Sequence, residues 1–390
     1  MESINGRRNR FIEYSLFIAC LLSNLSQLPV LVRSGYTQQL AFPGWILVLI
    51  TVLFSRRLII KRSMLPQLGL AAALLMWLLL DSLFTQGNLF SSSMIYSYLI
   101  SFFVFLLGAW TADYIYDDVI DKIIGIFIIS MLVVSASIFV QYFGIGYNLA
   151  TRLYAYSSKN SVSQIIFTAI ILLIVRYQPQ KAFWKIVKIL AIAFEIYVIL
   201  LLRSRATLVS LILAIFAIAF SRNAKKRIKV AIGLIGIIVI ILLLTNSSFN
   251  DFIFNNVIFA GRNAANLNEL TSGRVNIIES FPDRISGNWL TGIGSTYFEC
   301  FPLSAILQFG LPGGLLIIII SLQPLLASFN RRNQSQNWNL LFLISLGYSV
   351  NGLFEGLTPF GPGVKCYFMW LLYGILLSQM NRTEEGNALN

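Results

Sequence analysis

Two apolar runs, GLIGIIVIILLLTN (233–246) and FPLSAILQFGLPGGLLIIII (301–320), bracket a polar stretch that carries Arg262, Arg274, Glu279, Asp283, Arg284 and Glu299. The first run ends a long hydrophobic segment. The second begins one, interrupted by Gly310, Pro312, Gly313 and Gly314. No other polar stretch in the chain is as long. Elsewhere, apolar runs alternate with short loops. A spanning helix needs about 20 apolar residues. The pattern therefore reads as an all-α polytopic membrane protein whose helices hold one long loop (246–301) at one membrane face.

Composition agrees. The chain of 390 residues is 57% hydrophobic and 12% charged, with mean hydropathy +0.76. No soluble domain buries that much apolar surface. Twelve candidate spans are expected near 11–32, 41–55, 64–85, 94–112, 123–143, 161–177, 186–202, 206–221, 230–247, 302–329, 338–357 and 365–381, making residues 1–390 one membrane domain. Arg7, Arg8 and Arg10 precede an apolar run too long for a signal-peptide core, so the first helix is expected to stay as an anchor.

Lysine and arginine counts set the orientation. With the N-terminus inside, alternate loops place 20 of the 29 basic residues in the cytoplasm. This is the positive-inside bias, and it puts both termini inside and the long loop outside. The net charge of +13 is spread between apolar runs and not over one face, so no nucleic-acid partner is expected. Cys20, Cys300 and Cys366 lack metal-ligand spacing and read as apolar fillers. Histidine is absent, which leaves carboxylates, Lys, Tyr or Ser for acid–base work.

Certain charges stand against this background. Asp81, Glu195 and Glu355 lie within or at the ends of apolar runs, where an ionisable group costs roughly 2.5–3.5 kcal/mol on insertion scales. Each is either a functional group or half of an interhelical pair. Glu195 lies eight residues from Arg203, too far along a helix to pair with it. Asp113, Asp117, Asp118 and Asp121 offer a divalent-metal reading, but a solvated turn on the side away from the long loop is favoured. Arg203 and Arg205, in VILLLRSRATLVSL, fall where the chain turns back at the outer face. They are suited to snorkelling or to a lipid-linked diphosphate, which guanidinium groups match bidentately.

The order of four motifs resembles a known family. LLRSRATL (201–208), SGR (272–274), TGIG (291–294) and LQFGLPGGL (307–315) are similar to the O-antigen polymerase and ligase superfamily, polytopic glycosyltransferases of bacterial surface polysaccharide. The resemblance covers about residues 196–320, and beyond them only hydropathy matches. It implies a protein of the bacterial inner membrane acting on undecaprenyl-diphosphate-linked oligosaccharide, among membrane lipids and with room for a chain-length regulator as partner. Arg205 and Arg274 sit at the arginines thought to hold the diphosphate. Gly310 and Gly313 match the GxxG step. Where the ligases carry histidine, this chain has Glu299, which weighs against the ligase reading and for a polymerase.

On that basis Glu299 is expected to act as general base, with Arg205 and Arg274 stabilising the departing diphosphate. Arg203, Arg262, Arg284, Asp283 and Glu355 are expected to contact substrate, and Glu279 and Asp283 are rival bases. The chemistry expected is direct inverting displacement without metal or cofactor. Glu299 could alternatively cap the helix that follows it. Trp289, Tyr297, Phe298 and Phe301 are expected mostly as interfacial aromatics, with Trp289 the one suited to stacking on a sugar. A ligase, or a flippase of lipid-linked sugars, are the alternatives.

Overall fold

Each expected apolar run holds a helix. The computed structural model describes residues 2–55, 58, 60–84, 93–146, 156, 159–220, 226–251, 253–255, 266, 268, 271, 273–294, 296, 298–356, 358–359 and 365–388. In chain order the helices are α1 (Glu2–Leu25), α2 (Pro29–Ser34), α3 (Thr37–Ser55), α4 (Leu65–Phe84), α5 (Ser93–Thr111), α6 (Asp117–Gly144), α7 (Lys159–Val175), α8 (Ala182–Leu202), α9 (Arg205–Phe220), α10 (Lys226–Thr245), α11 (Ser247–Asp251), α12 (Arg274–Glu279), α13 (Phe281–Ile285), α14 (Phe301–Arg331), α15 (Gln336–Gly352) and α16 (Tyr367–Ala388). No strand occurs among the described residues. Among the described residues, four helical stretches could cross a membrane by length and composition: Thr37–Phe54, Arg62–Leu83, Asp117–Gly144 and Phe301–Arg331. Shorter apolar helices flank them.

The helices pack side by side. α16 lies along α5, α1 against α3 and α6, and α15 between α9 and α14. Backbones come close where side chains vanish: a Cβ on Gly108 or Gly374 would run into the α16 or α5 backbone, respectively. Small residues at such crossings are what helix association in lipid requires. Phe54, Leu83, Ile129, Val140, Phe143 and Phe220 are all exposed. An apolar lateral surface of this kind suits hydrocarbon and not water.

Polar side chains gather at two opposite sets of helix ends. At one, Lys61 pairs with Asp113 at 2.5 Å, Arg176 with Asp121 at 2.6 Å and Lys122 with Asp118 at 3.4 Å, while Asn337 donates to Asp117 at 3.1 Å. The four aspartates thus go to four different partners. The other set holds the α8–α9 turn, the start of α7, the segment before α14 and the segment after α15.

α14 is broken at Gly310, which has φ 69° and ψ 177°. The break frees carbonyls inside an apolar helix, and Pro312 lacks the N–H that would meet Gln308 O. The TGIG loop supplies the missing donors. Ile293 N donates to Leu307 O at 2.8 Å and Gly294 N to Gln308 O at 3.3 Å, while Leu311 N donates back to Trp289 O at 2.7 Å. Trp77 Nε1 of α4 completes the set by donating to Phe309 O at 3.1 Å. Gly310 and Gly292 are both left-handed, and a Cβ on either would collide with the other segment's backbone. The two glycine motifs are therefore one device, a loop plugged into a broken helix.

Gly310→Ala is expected to lower stability by roughly 2–4 kcal/mol, since it adds both a clash and backbone strain. Trp77→Phe should cost only about 1 kcal/mol, the worth of one hydrogen bond. Unfolding in detergent measures both, and equal effects would contradict this account of the break.

Candidate active site

The plugged loop fixes what lies on either side of it. A small apolar cluster of Phe281, Ile285, Phe298 and Leu307 clamps α13 and the segment before α14 onto the start of α14. Phe298 and Phe301 are buried, Phe298 against Phe281 and Phe301 against Tyr98, so they are core residues and not the interfacial aromatics expected. Trp289 remains exposed, edge-on to Phe281. Glu299 is presented next to this clamp. It does not cap α14, whose N-cap is Cys300 without a side-chain bond.

Arg274 opens α12 immediately after Gly273, which sits at φ 83°. Its Nη2 lies 3.2 Å from Glu299 Oε2 and 3.7 Å from Glu355 Oε1, and donates to Phe354 O at 2.9 Å. Nη1 donates to Thr271 O at 3.4 Å, and the guanidinium stands 6.0 Å from the Phe354 ring centroid. One cation thus joins carboxylates brought from either side of α14 and α15. Glu299 is the more open of the two, 36% exposed against 14% for Glu355.

Glu355 lies beyond the end of α15 at Gly352 and not inside a helix. Asn160 Nδ2, in the first turn of α7, donates to its Oε1 at 2.5 Å. The Asn160 Oδ1 accepts from Ser204 Oγ at 3.4 Å, and Ser204 also meets Thr207 at 2.9 Å. A polar chain therefore runs from the α8–α9 turn through Asn160 and Glu355 to Arg274 and Glu299. Burial pushes the Glu355 carboxyl up to about 7, and Glu299 adds to the rise, while Arg274, Lys365 and Lys159 work against it. Burial likewise lowers Lys365, whose ammonium is bonded to Ser161, to about 8.

The α8–α9 turn is tight. Arg203 caps α8 in the left-handed region (φ 51°), uncommon for a residue other than glycine, and its N–H returns to Ile199 O and Leu200 O. Its side chain is buried, whereas Arg205, the first residue of α9, is half-buried. Arg205 therefore follows directly on Ser204, at the end of the polar chain.

Other expected site residues stand apart from this cluster. Arg284 lies over the Phe298 ring, 5.8 Å from its centroid. Glu279 and Asp283 are exposed, and no ion pair among the described residues includes them. Arg262 and Tyr297 fall outside the described residues, as does Ser272 of the SGR motif. Glu195 is buried, and its Oε2 accepts from Ser135 of α6 at 2.5 Å, while Oε1 has no hydrogen-bond partner among the described residues. Asp81 is buried within α4. Asn160, Ser161 and Lys365 carried no signal in the sequence beyond their position at helix ends.

No family model matches the chain, and no curated protein matches it significantly.

Glu355 gives a pH signature. Its ordinary value is 4.5 and its folded value about 7, so between the two the folded protein holds a proton that the unfolded chain has lost. Stability then falls as pH rises through that window. In protein carrying ¹³C-labelled glutamate side chains, one carboxyl should titrate near pH 7 and disappear in Glu355→Gln. Lys365→Met should move that midpoint upward, because it removes a cation that favours the ionised form; a downward move would contradict the arrangement.

Proposed function

We propose that the chain is a polytopic glycosyltransferase of the bacterial inner membrane. It joins oligosaccharide repeat units carried on undecaprenyl diphosphate, as an O-antigen polymerase does. The twelve expected spans put both termini in the cytoplasm and the Arg274 cluster at the outer face. One observation carries the reading: Arg274 is held 3.2 Å from Glu299, at the end of a polar chain that begins beside Arg205. This joins an anion-binding cation to a carboxylate base where a lipid headgroup would meet the protein.

In the proposed step, a hydroxyl of the incoming unit attacks the anomeric carbon of the growing chain and loses its proton to Glu299. The bond from that carbon to the lipid diphosphate breaks, and the diphosphate carries the negative charge away. Arg274, with Arg205, offsets that charge as it develops. Sugar-carbon chemistry of this kind has oxocarbenium character, and a single displacement inverts the configuration.

Surface polysaccharide from a strain lacking the gene should collapse from a ladder to core plus one repeat unit. Bare core would instead indicate failed ligation or flipping. Restoring the gene with Arg274→Ala should lower polymer yield by roughly 10²–10³, the loss expected when one preorganised charge partner is removed. Full-length polymer from Arg274→Ala at normal expression would overturn the assignment.

A further inference from the structure

Resting on that reading, we propose that Glu355 is the displaceable counter-ion of Arg274: an incoming diphosphate takes over the guanidinium, and Glu355 takes up a proton as it binds.

The crowding is at Arg274 Nη2. Nη2 has two hydrogens, yet Phe354 O, Glu299 and Glu355 all face it, at 2.9, 3.2 and 3.7 Å. Nη1 gives one of its two hydrogens to Thr271 O, at 3.4 Å. Nε is buried and has no hydrogen-bond partner among the described residues. A phosphate oxygen that takes Nη2 displaces one of its acceptors, and Glu355 has the longest contact.

Glu355 remains tethered when it yields. Asn160 holds it at 2.5 Å, and Asn160 is itself engaged by Ser204 of the α8–α9 turn. The displaced carboxyl stays beside the bound anion. The charged groups facing it are Arg274 from α12, Glu299 from the segment before α14, Lys365 from the segment before α16 and Lys159 from α7. Even with three cations among them, burial leaves Glu355 near 7. Losing Arg274 to a diphosphate, and gaining a negative neighbour, moves it further up. Binding is therefore accompanied by proton uptake above pH 7. Loss of that proton afterwards restores the Arg274–Glu355 contact and favours release of the spent lipid diphosphate.

The probe is the methyl ester of farnesyl diphosphate, a diphosphate diester that does not titrate near neutrality and carries no sugar. Its affinity for the full chain in lipid nanodiscs is measured at pH 6 and pH 8. A group titrating at 7 in the free site and protonated in the complex makes binding about tenfold tighter at pH 6. Glu355→Gln should bind equally at both values, as tightly as wild type at pH 6. Glu355→Asp should retain the pH dependence. Calorimetry of wild type in two buffers of different ionisation enthalpy should count about one proton taken up at pH 8, independently of any variant. Binding that is equally tight at both pH values, with no proton uptake, overturns the counter-ion role and leaves the diphosphate site standing. Absence of binding at both pH values overturns the diphosphate reading, and this inference falls with it.

Discussion

A broken helix inside an apolar bundle must find donors for the carbonyls it exposes, and that constraint organises this protein. In hydrocarbon no water is at hand to satisfy them. At Gly310 the donors come from the backbone of Ile293 and Gly294 and from the Trp77 indole. The loop is seated by its own backbone, and its seat requires that Gly292 carry no side chain. The chain on each side inherits that position. Downstream, residues 298–300 are delivered to the start of α14, with Glu299 beside the Phe298 clamp. Upstream, α13 is held by Phe281 and Ile285, and α12 with Arg274 precedes it.

A second constraint acts on charge. Glu355, Lys365 and Arg274 are largely enclosed, so none can rely on water for its stabilisation, and each is met by a partner from a different helix end. The cluster draws together α7, the α8–α9 turn, α12, α14 and the ends of α15 and α16. It is thereby sensitive to small displacements of any of them. A weakly hydrated guanidinium with several fixed acceptors is well suited to exchange one anion for another, since it can trade contacts without losing its charge.

Much of this was legible in the sequence because apolar length and misplaced charge are strong signals. The helices follow the runs read from hydropathy. Arg274 and Glu299 stand out through the motifs that carry the resemblance and Glu355 as a carboxylate at the end of an apolar run, and all three meet. What stayed hidden depended on tertiary contact. Asn160 is a neutral residue at a helix start and looks like a solvated cap, yet it joins Ser204 to Glu355. Lys365 reads as one more basic residue at a boundary. Phe298 has the composition of an interfacial aromatic, but the loop folds back over it. Arg284, Asp283 and Glu279 share the polar stretch with Arg274, and the fold leaves them exposed on α12 and α13, outside the Arg274 contacts. The break at Gly310 was visible as glycine and proline in an apolar run, whereas its pairing with TGIG required the fold.

Reconstitution is the most direct test of the central claim. The protein, purified into liposomes, is supplied with a synthetic repeat unit on a prenyl diphosphate, and the products are resolved by mass. The account predicts dimers and longer oligomers still attached to one lipid, with one free prenyl diphosphate released for each bond formed and the new linkage inverted. Intact lipid-linked monomer after prolonged incubation with its cognate unit, or release of free sugar without any new linkage, would contradict it.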